Sequence, residues 1–398
     1  MPGLRVSAYA RQQASAQVER LARSRLDVAT FLSQAGVVLD RAVPSGIDTL
    51  PNPSWATLDP TSLLITSTFS DGCEMPIEEV VQLEYASEMP SNRIGDVVRN
   101  PRGVQTASEL VDSDPVGGRE YLGLLRSIGV AHEALLALRA RDGAYWGAVY
   151  VVRGPERPDF SSEDLELLRA VAPHLAEGIR RGLLLGEASE PEGPDAPAIV
   201  VLGEDLTPES LTPGAEQWLR ELPALERGNL PAAVLSVAQV VLADQDGRGG
   251  RGGDRPTSVR VLSARRGWVM LHGQVLAGRG GRRVAVTIQP ASSDRLTPLL
   301  MAAYGLTKRE EQVTRHVLQG DSTAQIADAL SLSPYTVQEH LKHIFEKTAV
   351  RSRRELIGRV FSRHYRPRVE DNDERIRAAR PIRGGPFPDR SLRPDRAT

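Results

Sequence analysis

LTKREEQVTRHVLQGDSTAQIADALSLSPYTVQEHLKHIFEKTAVRSRRELIGRVF, residues 306–361, is the stretch whose reading decides the fold of the C-terminal part. Thr307 followed three residues later by Glu310 predicts a capping box that opens a helix. Val313, Val317 and Leu318 fall on its inner face, and Gly320 suits the left-handed residue just past its end. A second helix opens near Ser322 and turns Ile326, Ala327 and Leu330 inward. The small Ala327 admits a close neighbour. After a short turn, Leu330-Ser331-Leu332, the pair Ser333-Pro334 starts a third helix with a serine cap and proline at the first position. Val337, Leu341, Ile344 and Phe345 form its apolar face. Ser352 and Glu355 predict another capping box, and Leu356, Ile357 and Val360 give the fourth helix its apolar side.

Two helices joined by a turn of about three residues make a helix-turn-helix, whose second helix enters the DNA major groove. Opposite its apolar face lie Gln338, Glu339, Lys342, His343 and Glu346, one surface stripe at helical spacing. Gln338 can pair with adenine, Lys342 with guanine, and Glu339 can accept from cytosine. These three are the expected base readers. Tyr335, Thr336 and Lys347 can bond phosphates, which position a helix without reading sequence, and His343 is placed with them.

This region resembles the LuxR-type (GerE-like) four-helix DNA-binding domain. The residues that match are Leu306-Thr307, Arg309-Glu310, Val313, Gly320, Ile326-Ala327, Leu330, Leu332-Ser333, Thr336-Val337, His340, Ile344, Lys347, Val350, Arg353 and Leu356. The resemblance implies that the third helix reads bases. It implies that the start of the second helix, here Ser322 and Thr323, touches phosphates, and that the fourth helix pairs two monomers. This chain departs from the family at Gln338, where several members carry Lys or Arg. It departs again at Thr348, where an apolar residue is usual, which implies looser packing at the end of the third helix. Sigma factor region four opens similarly but ends in an Arg-rich run, whereas this chain has His340 to Lys347. No cluster of paired acids follows a first strand, so a phosphorelay receiver is not expected.

Upstream, residues 1–185 mix helical and strand patterns. Val18, Leu21, Leu26, Phe31 and Leu32 follow helical spacing. EALLALRARDGAYWGAVYVVR, residues 133–153, reads as a hairpin turning at Asp142-Gly143. Ser161 and Asp164 then cap a long helix whose apolar stripe runs through Leu165, Leu168, Leu175, Ile179 and Leu183. The strand region WATLDPTSLLITSTF, the hairpin around Trp146-Gly147, and Pro158 to Ser161 with the closing helix together resemble a GAF domain. That implies an antiparallel sheet with helices and a small-molecule effector as one possible partner. Trp146, Tyr150 and Phe160 read as core.

The acidic, Pro/Gly-rich residues 186–197 read as a linker. Residues 198–291 show a short apolar run, two helical stretches, a Gly/Arg loop over residues 244–256 and three strand-like runs. This block, with Gly214 to Leu219 as an early helix, resembles a PAS-type sensor domain. Trp218 and Trp268 read as core. The helix-turn-helix domain spans 296–362, and residues 363–398 read as a disordered basic tail. The expected fold class is therefore multidomain α+β, two antiparallel-sheet domains followed by an all-α four-helix domain.

Composition narrows the function. The 398 residues carry 49 Lys and Arg against 51 Asp and Glu, a net charge of −2. That excludes a wholly basic binder, so nucleic-acid contact must come from a local patch. The single cysteine, Cys73, excludes an internal disulfide framework and multi-cysteine zinc. Cys73 reads as a loop thiol, and His132, His174, His272 and His316 as structural or surface groups, with no ligand spacing among them. No catalytic triad, phosphate loop or metal motif appears, so neither an enzyme nor a cofactor is expected. No secretory signal or membrane span is read, and the expected location is cytoplasmic. The expected function is a sequence-specific DNA-binding transcriptional regulator under sensory control. Its partners would be double-stranded DNA, a second copy of the chain, and RNA polymerase. The alternative is a sensory or protein-interaction module with weak DNA binding.

Overall fold

The computed structural model describes residues 8–24, 26–47, 53–69, 77–86, 91–141, 143–185, 197–223, 230–245, 257–264, 267–276, 281–291 and 304–360. Cys73, Asp142, residues 186–196 of the expected linker, most of the Gly/Arg loop and the tail lie outside them. The described chain forms two compact units, one with both β-sheets and one with the C-terminal helices.

The first unit opens with α1 (Ala8–Arg23) and α2 (Val28–Ala42). They are separate because Asp27 caps α2, its carboxylate accepting from the Thr30 N–H. Then come β1 (Ser54–Leu58), β2 (Ile65–Phe69), α3 (Ile77–Tyr85), α4 (Ile94–Arg99), β3 (Val104–Thr106), α5 (Ala107–Ser113) and α6 (Gly117–Ser127). The predicted hairpin follows as β4 (His132–Arg139) and β5 (Tyr145–Arg153), with Gly143 at φ +92° in its turn. The closing helix is α7 (Ser162–Leu185). The sheet has the order β2-β1-β5-β4-β3, with antiparallel pairs. Its central strands read as apolar runs because helices cover both faces; Trp146 is wholly buried.

Ser161 and Asp164 form the predicted capping box, each accepting the other's backbone N–H. Asp164 also holds the guanidinium groups of Arg153 and Arg11, each at 3.0 Å. Burial pushes its carboxyl up, but the Ser161 N–H and the two cations outweigh that and hold it below the ordinary value. Arg153 stacks on the Phe160 ring, 4.6 Å from its centroid. Phe160 thus serves the joint between hairpin and helix.

No spacing rule pointed to the crossing of α2 and α7. A Cβ on Gly178 would run into the Phe31 ring, so glycine there sets how closely the two helices approach. Gly178→Ala is expected to destabilise the protein by about 1–3 kcal/mol through overpacking. An unchanged urea midpoint would refute this tight crossing.

The second sheet is built from β6 (Ala198–Leu202), β7 (Pro208–Leu211), β8 (Ser258–Ser263), β9 (Gly267–Leu276) and β10 (Arg283–Pro290), with α8 (Ala215–Glu221) and α9 (Ala232–Gln245) between β7 and β8. Its order, β7-β6-β10-β9-β8, repeats that of the first sheet. The sequence reading has no strand at β7. That strand is a fully exposed edge beginning with Pro208, so it shows no apolar alternation, and proline is tolerated there.

The two sheets share one hydrophobic core across the expected linker. α9 is its centre. It is apolar nearly all round, as a helix buried on every side must be. It packs on α3 and β2 of the first sheet and on β8 of the second. A buried ion pair joins the same parts. Asp59, in the turn after β1, accepts from Arg260 of β8 through its backbone N–H at 2.9 Å and through Nε at 3.0 Å. Its other oxygen takes the terminal guanidinium N–H at 2.6 Å.

Candidate nucleic-acid interface

The second unit contains α10 (Lys308–Leu318), α11 (Thr323–Leu330), α12 (Pro334–Thr348) and α13 (Arg353–Val360). The Thr307/Glu310 capping box opens α10, and a Ser322/Gln325 box opens α11. Ser333 caps α12, with Pro334 in the first turn. Before α13, Ser352 accepts from the Glu355 N–H, but the Glu355 carboxylate takes the Arg351 N–H at 2.7 Å. The expected reciprocal box is therefore shifted by one residue.

Val313, Val317, Ile326, Val337, Leu341 and Ile344 are the centre of one small core. Ile357, expected in the apolar face of α13, is instead 38% exposed. The side chain of Val360 is outside the described ones. Thr348 is 2% exposed, and its hydroxyl donates to the Ile344 carbonyl at 2.7 Å. That bond satisfies the polar group, so the departure from an apolar residue leaves no loose end.

Three helices end alike. The amides of Asp321, Leu332 and Val350 reach back to the carbonyls of His316, Ala327 and Phe345. The residues before them, Gly320, Ser331 and Ala349, are left-handed, at φ +90°, +54° and +52°. Only the first carries the glycine that marks such an end in sequence. The turn between α11 and α12 is further held by Arg309, which donates to the Leu330 carbonyl at 2.6 Å.

On α12, Gln338, Glu339, Lys342, His343 and Glu346 are all exposed, opposite buried Val337, Leu341 and Ile344. Tyr335 is 74% exposed at the start of the helix. Thr336 is half-buried and its hydroxyl meets that of Ser333 at 2.8 Å. Ser322 is exposed and Thr323 half-buried. The Thr323 oxygen accepts from Arg353 at 2.9 Å and from the Gln338 amide at 3.3 Å. Arg353 also donates to the Asp321 carbonyl at 2.8 Å, so α13 clamps the start of α11.

Lys347 is placed differently. Its ammonium meets the nearly buried Glu310 carboxylate at 2.7 Å, bridging α12 to α10. That pairs its charge with an acid of the same domain. The sequence sets it with the phosphate contacts, and helical spacing carries no signal for a partner 37 residues away.

Residues 305–360 match the model for bacterial regulatory proteins of the luxR family. The chain carries a LuxR-type domain. Residues 28–179 match the GAF domain, so a GAF domain lies at its N-terminal end. The chain is similar to the HTH-type transcriptional regulator of the exeN 3′ region in Aeromonas salmonicida. Identity there is 40% over 83 residues, 20% of this chain and 42% of that protein. It is also similar to the transcriptional regulatory protein UhpA of Escherichia coli K12, 45% identical over 56 residues, 14% of this chain and 29% of UhpA. The chain spans less than half the length of these relatives. A phycoerythrobilin-bound GAF domain from a cyanobacterial phytochrome aligns with 44% of this chain and 96% of that one, at 12% identity and a TM-score of 0.31. At that score the likeness carries no argument. Among the described residues no helix is long and apolar enough to cross a membrane.

Proposed function

We propose that the chain is a sequence-specific DNA-binding transcriptional regulator, its LuxR-type domain controlled by the GAF domain and a PAS-like middle domain. In this reading the sensor spans residues 1–185, the PAS-like domain 198–291 and the DNA-binding domain 296–362. The observation that carries it is the exposed stripe on α12, presented by a helix whose other face is locked into a core. Gln338, Glu339 and Lys342 read base edges. Ser322, Thr323, Tyr335, Thr336 and His343 position the helix on phosphates. Lys347 is left out of the contacts because Glu310 holds it. The protein works as a cytoplasmic homodimer on symmetric half-sites, beside RNA polymerase, and catalyses no reaction.

The test is a mobility shift with the full chain on a site selected from random duplexes. Lys342→Ala is expected to weaken binding by about 1–3 kcal/mol and to relax one base position. Gln338→Ala is expected to relax a different position. Equal losses on selected and scrambled DNA would reassign both side chains to phosphate. Binding to neither DNA would sink the gene-control reading.

A further inference from the structure

A cavity of about 140 Å³ lies inside the GAF domain. Its walls are mostly apolar, with Trp55, Phe69, Leu124 and Ile128 among them. That volume resembles cavities that take a single benzene ring. Its polar groups stand out against so apolar a wall. Two carboxylates line it, Glu84 from α3 and Glu133 from β4, with Asn92, Tyr121 and Tyr150.

Most of these groups present acceptors. Glu133 Oε1 takes hydrogen bonds from the Asn92 amide and the Tyr121 hydroxyl, both at 2.9 Å. Its second oxygen has no hydrogen bond among the described residues. Asn92 is 4% exposed, and its Oδ1 is buried without a partner. In this orientation the amide donates to the Glu133 carboxylate rather than setting two oxygens against each other. A buried carbonyl with no donor is a cost to the fold. Glu84 accepts from the Ile94 and Gly95 amides at 3.0 and 3.3 Å, which anchors the start of α4. Burial pushes its carboxyl up to about 7, and burial pushes that of Glu133 up as well. Among the described residues no cation pairs with Glu133. Arg93 acts on Glu84 through its charge, which leaves Glu133 as the acid that a small cation would serve.

We propose that this cavity binds a small aromatic amine, its ring against the apolar wall and its ammonium donating to the second oxygen of the Glu133 carboxylate. A cation suits the place for two reasons. It supplies donors to an oxygen that has none, and it offsets the desolvation of the paired acid. An anion would meet two carboxylates, and a neutral alcohol has only one donor. The site also explains where a signal goes. α3 supplies Ile77, Val80 and Glu84 to the cavity and packs against α9, the helix shared by both sheets. This deepens the sensor half of the proposed function and rests on it only for the meaning of the signal. The binding itself does not depend on DNA.

The test uses the full chain and three matched probes, 2-phenylethylamine, 2-phenylethanol and phenylacetate, in calorimetric titration and thermal melts without DNA. The amine is expected to bind at least tenfold tighter than the alcohol, and the acid not to bind. Glu133→Gln keeps an acceptor for Asn92 and Tyr121 and is expected to weaken the amine more than tenfold while leaving the alcohol unchanged. Should that variant fail to fold, Ile128→Trp, at a position 39% exposed, fills the cavity and is expected to abolish amine binding. Equal or tighter binding of alcohol or acid overturns the proposal, as does no binding by any probe at millimolar concentration. A mobility shift on the same preparations is scored separately. Its failure sinks the DNA reading and leaves the amine result standing.

Discussion

Asp59→Ala is expected to destabilise the two-sheet unit by about 3–5 kcal/mol, because it removes the buried carboxylate paired with the Arg260 guanidinium. Asp59 has 2% of its side chain exposed and Arg260 has 7%, so water cannot take over the lost bonds. Asp59 accepts four of them, three from Arg260 and one from the Thr61 N–H, and one of the three is the Arg260 backbone N–H, so the variant also orphans a strand amide. The pair lies where the turn after β1 meets β8, beside the core that α9 completes. Urea denaturation followed by tryptophan fluorescence measures the effect, since Trp55, Trp146, Trp218 and Trp268 report both sheets. The double variant Asp59→Leu/Arg260→Met is expected to recover most of the loss, since a packed apolar pair replaces a buried ion pair with little penalty. A loss in Asp59→Ala below about 1 kcal/mol would mean that the sheets are held by packing alone.

Lys347→Ala is the second large effect, expected at about 2–3 kcal/mol. It leaves the Glu310 carboxylate, 5% exposed, facing the core with only its capping bond to Thr307. A domain of this size has roughly 3–8 kcal/mol in all, so the loss is felt. The pH dependence has a definite sign. Burial pushes the Glu310 carboxyl up, but Lys347 and the Thr307 N–H hold it below its ordinary value. The wild-type advantage is then present at neutral pH and fades as the pH falls through that depressed value. Lys347→Ala is expected to show a flatter acid limb in a urea-midpoint series. A phosphate contact behaves otherwise. Its removal would leave folding intact and lower the salt slope of DNA binding by about one. Intact stability together with a reduced slope would return Lys347 to the DNA.

Local rules account for much of what the sequence revealed. Capping pairs are separated by three residues, so Thr307 with Glu310 and Ser161 with Asp164 can be read directly. The hairpin of β4 and β5 is legible because Gly143 takes the left-handed turn position between two strand-forming runs. The α12 stripe is legible because a helix of known phase assigns each side chain to a face. Where the rules missed, the reason differs each time. β7 carries no alternation because an exposed edge needs none. Ser331 and Ala349 end helices in a conformation that their residue types do not advertise. The absence of a glycine there hid the same closing motif that Gly320 announces.

The amino-acid order alone determined the helices of the LuxR-type domain, the face of α12 that points outward, and the hairpin and long helix of the GAF domain. All of these depend on hydrogen bonds and periodicities spanning a few residues. The partners of ionised groups were decided only by tertiary structure. So were the fusion of two sheets around α9 and the unsatisfied oxygen beside Glu133. Charges such as Asp59 and Arg260 meet across 201 residues of chain, and no short-range pattern encodes a contact made by folding the chain back upon itself.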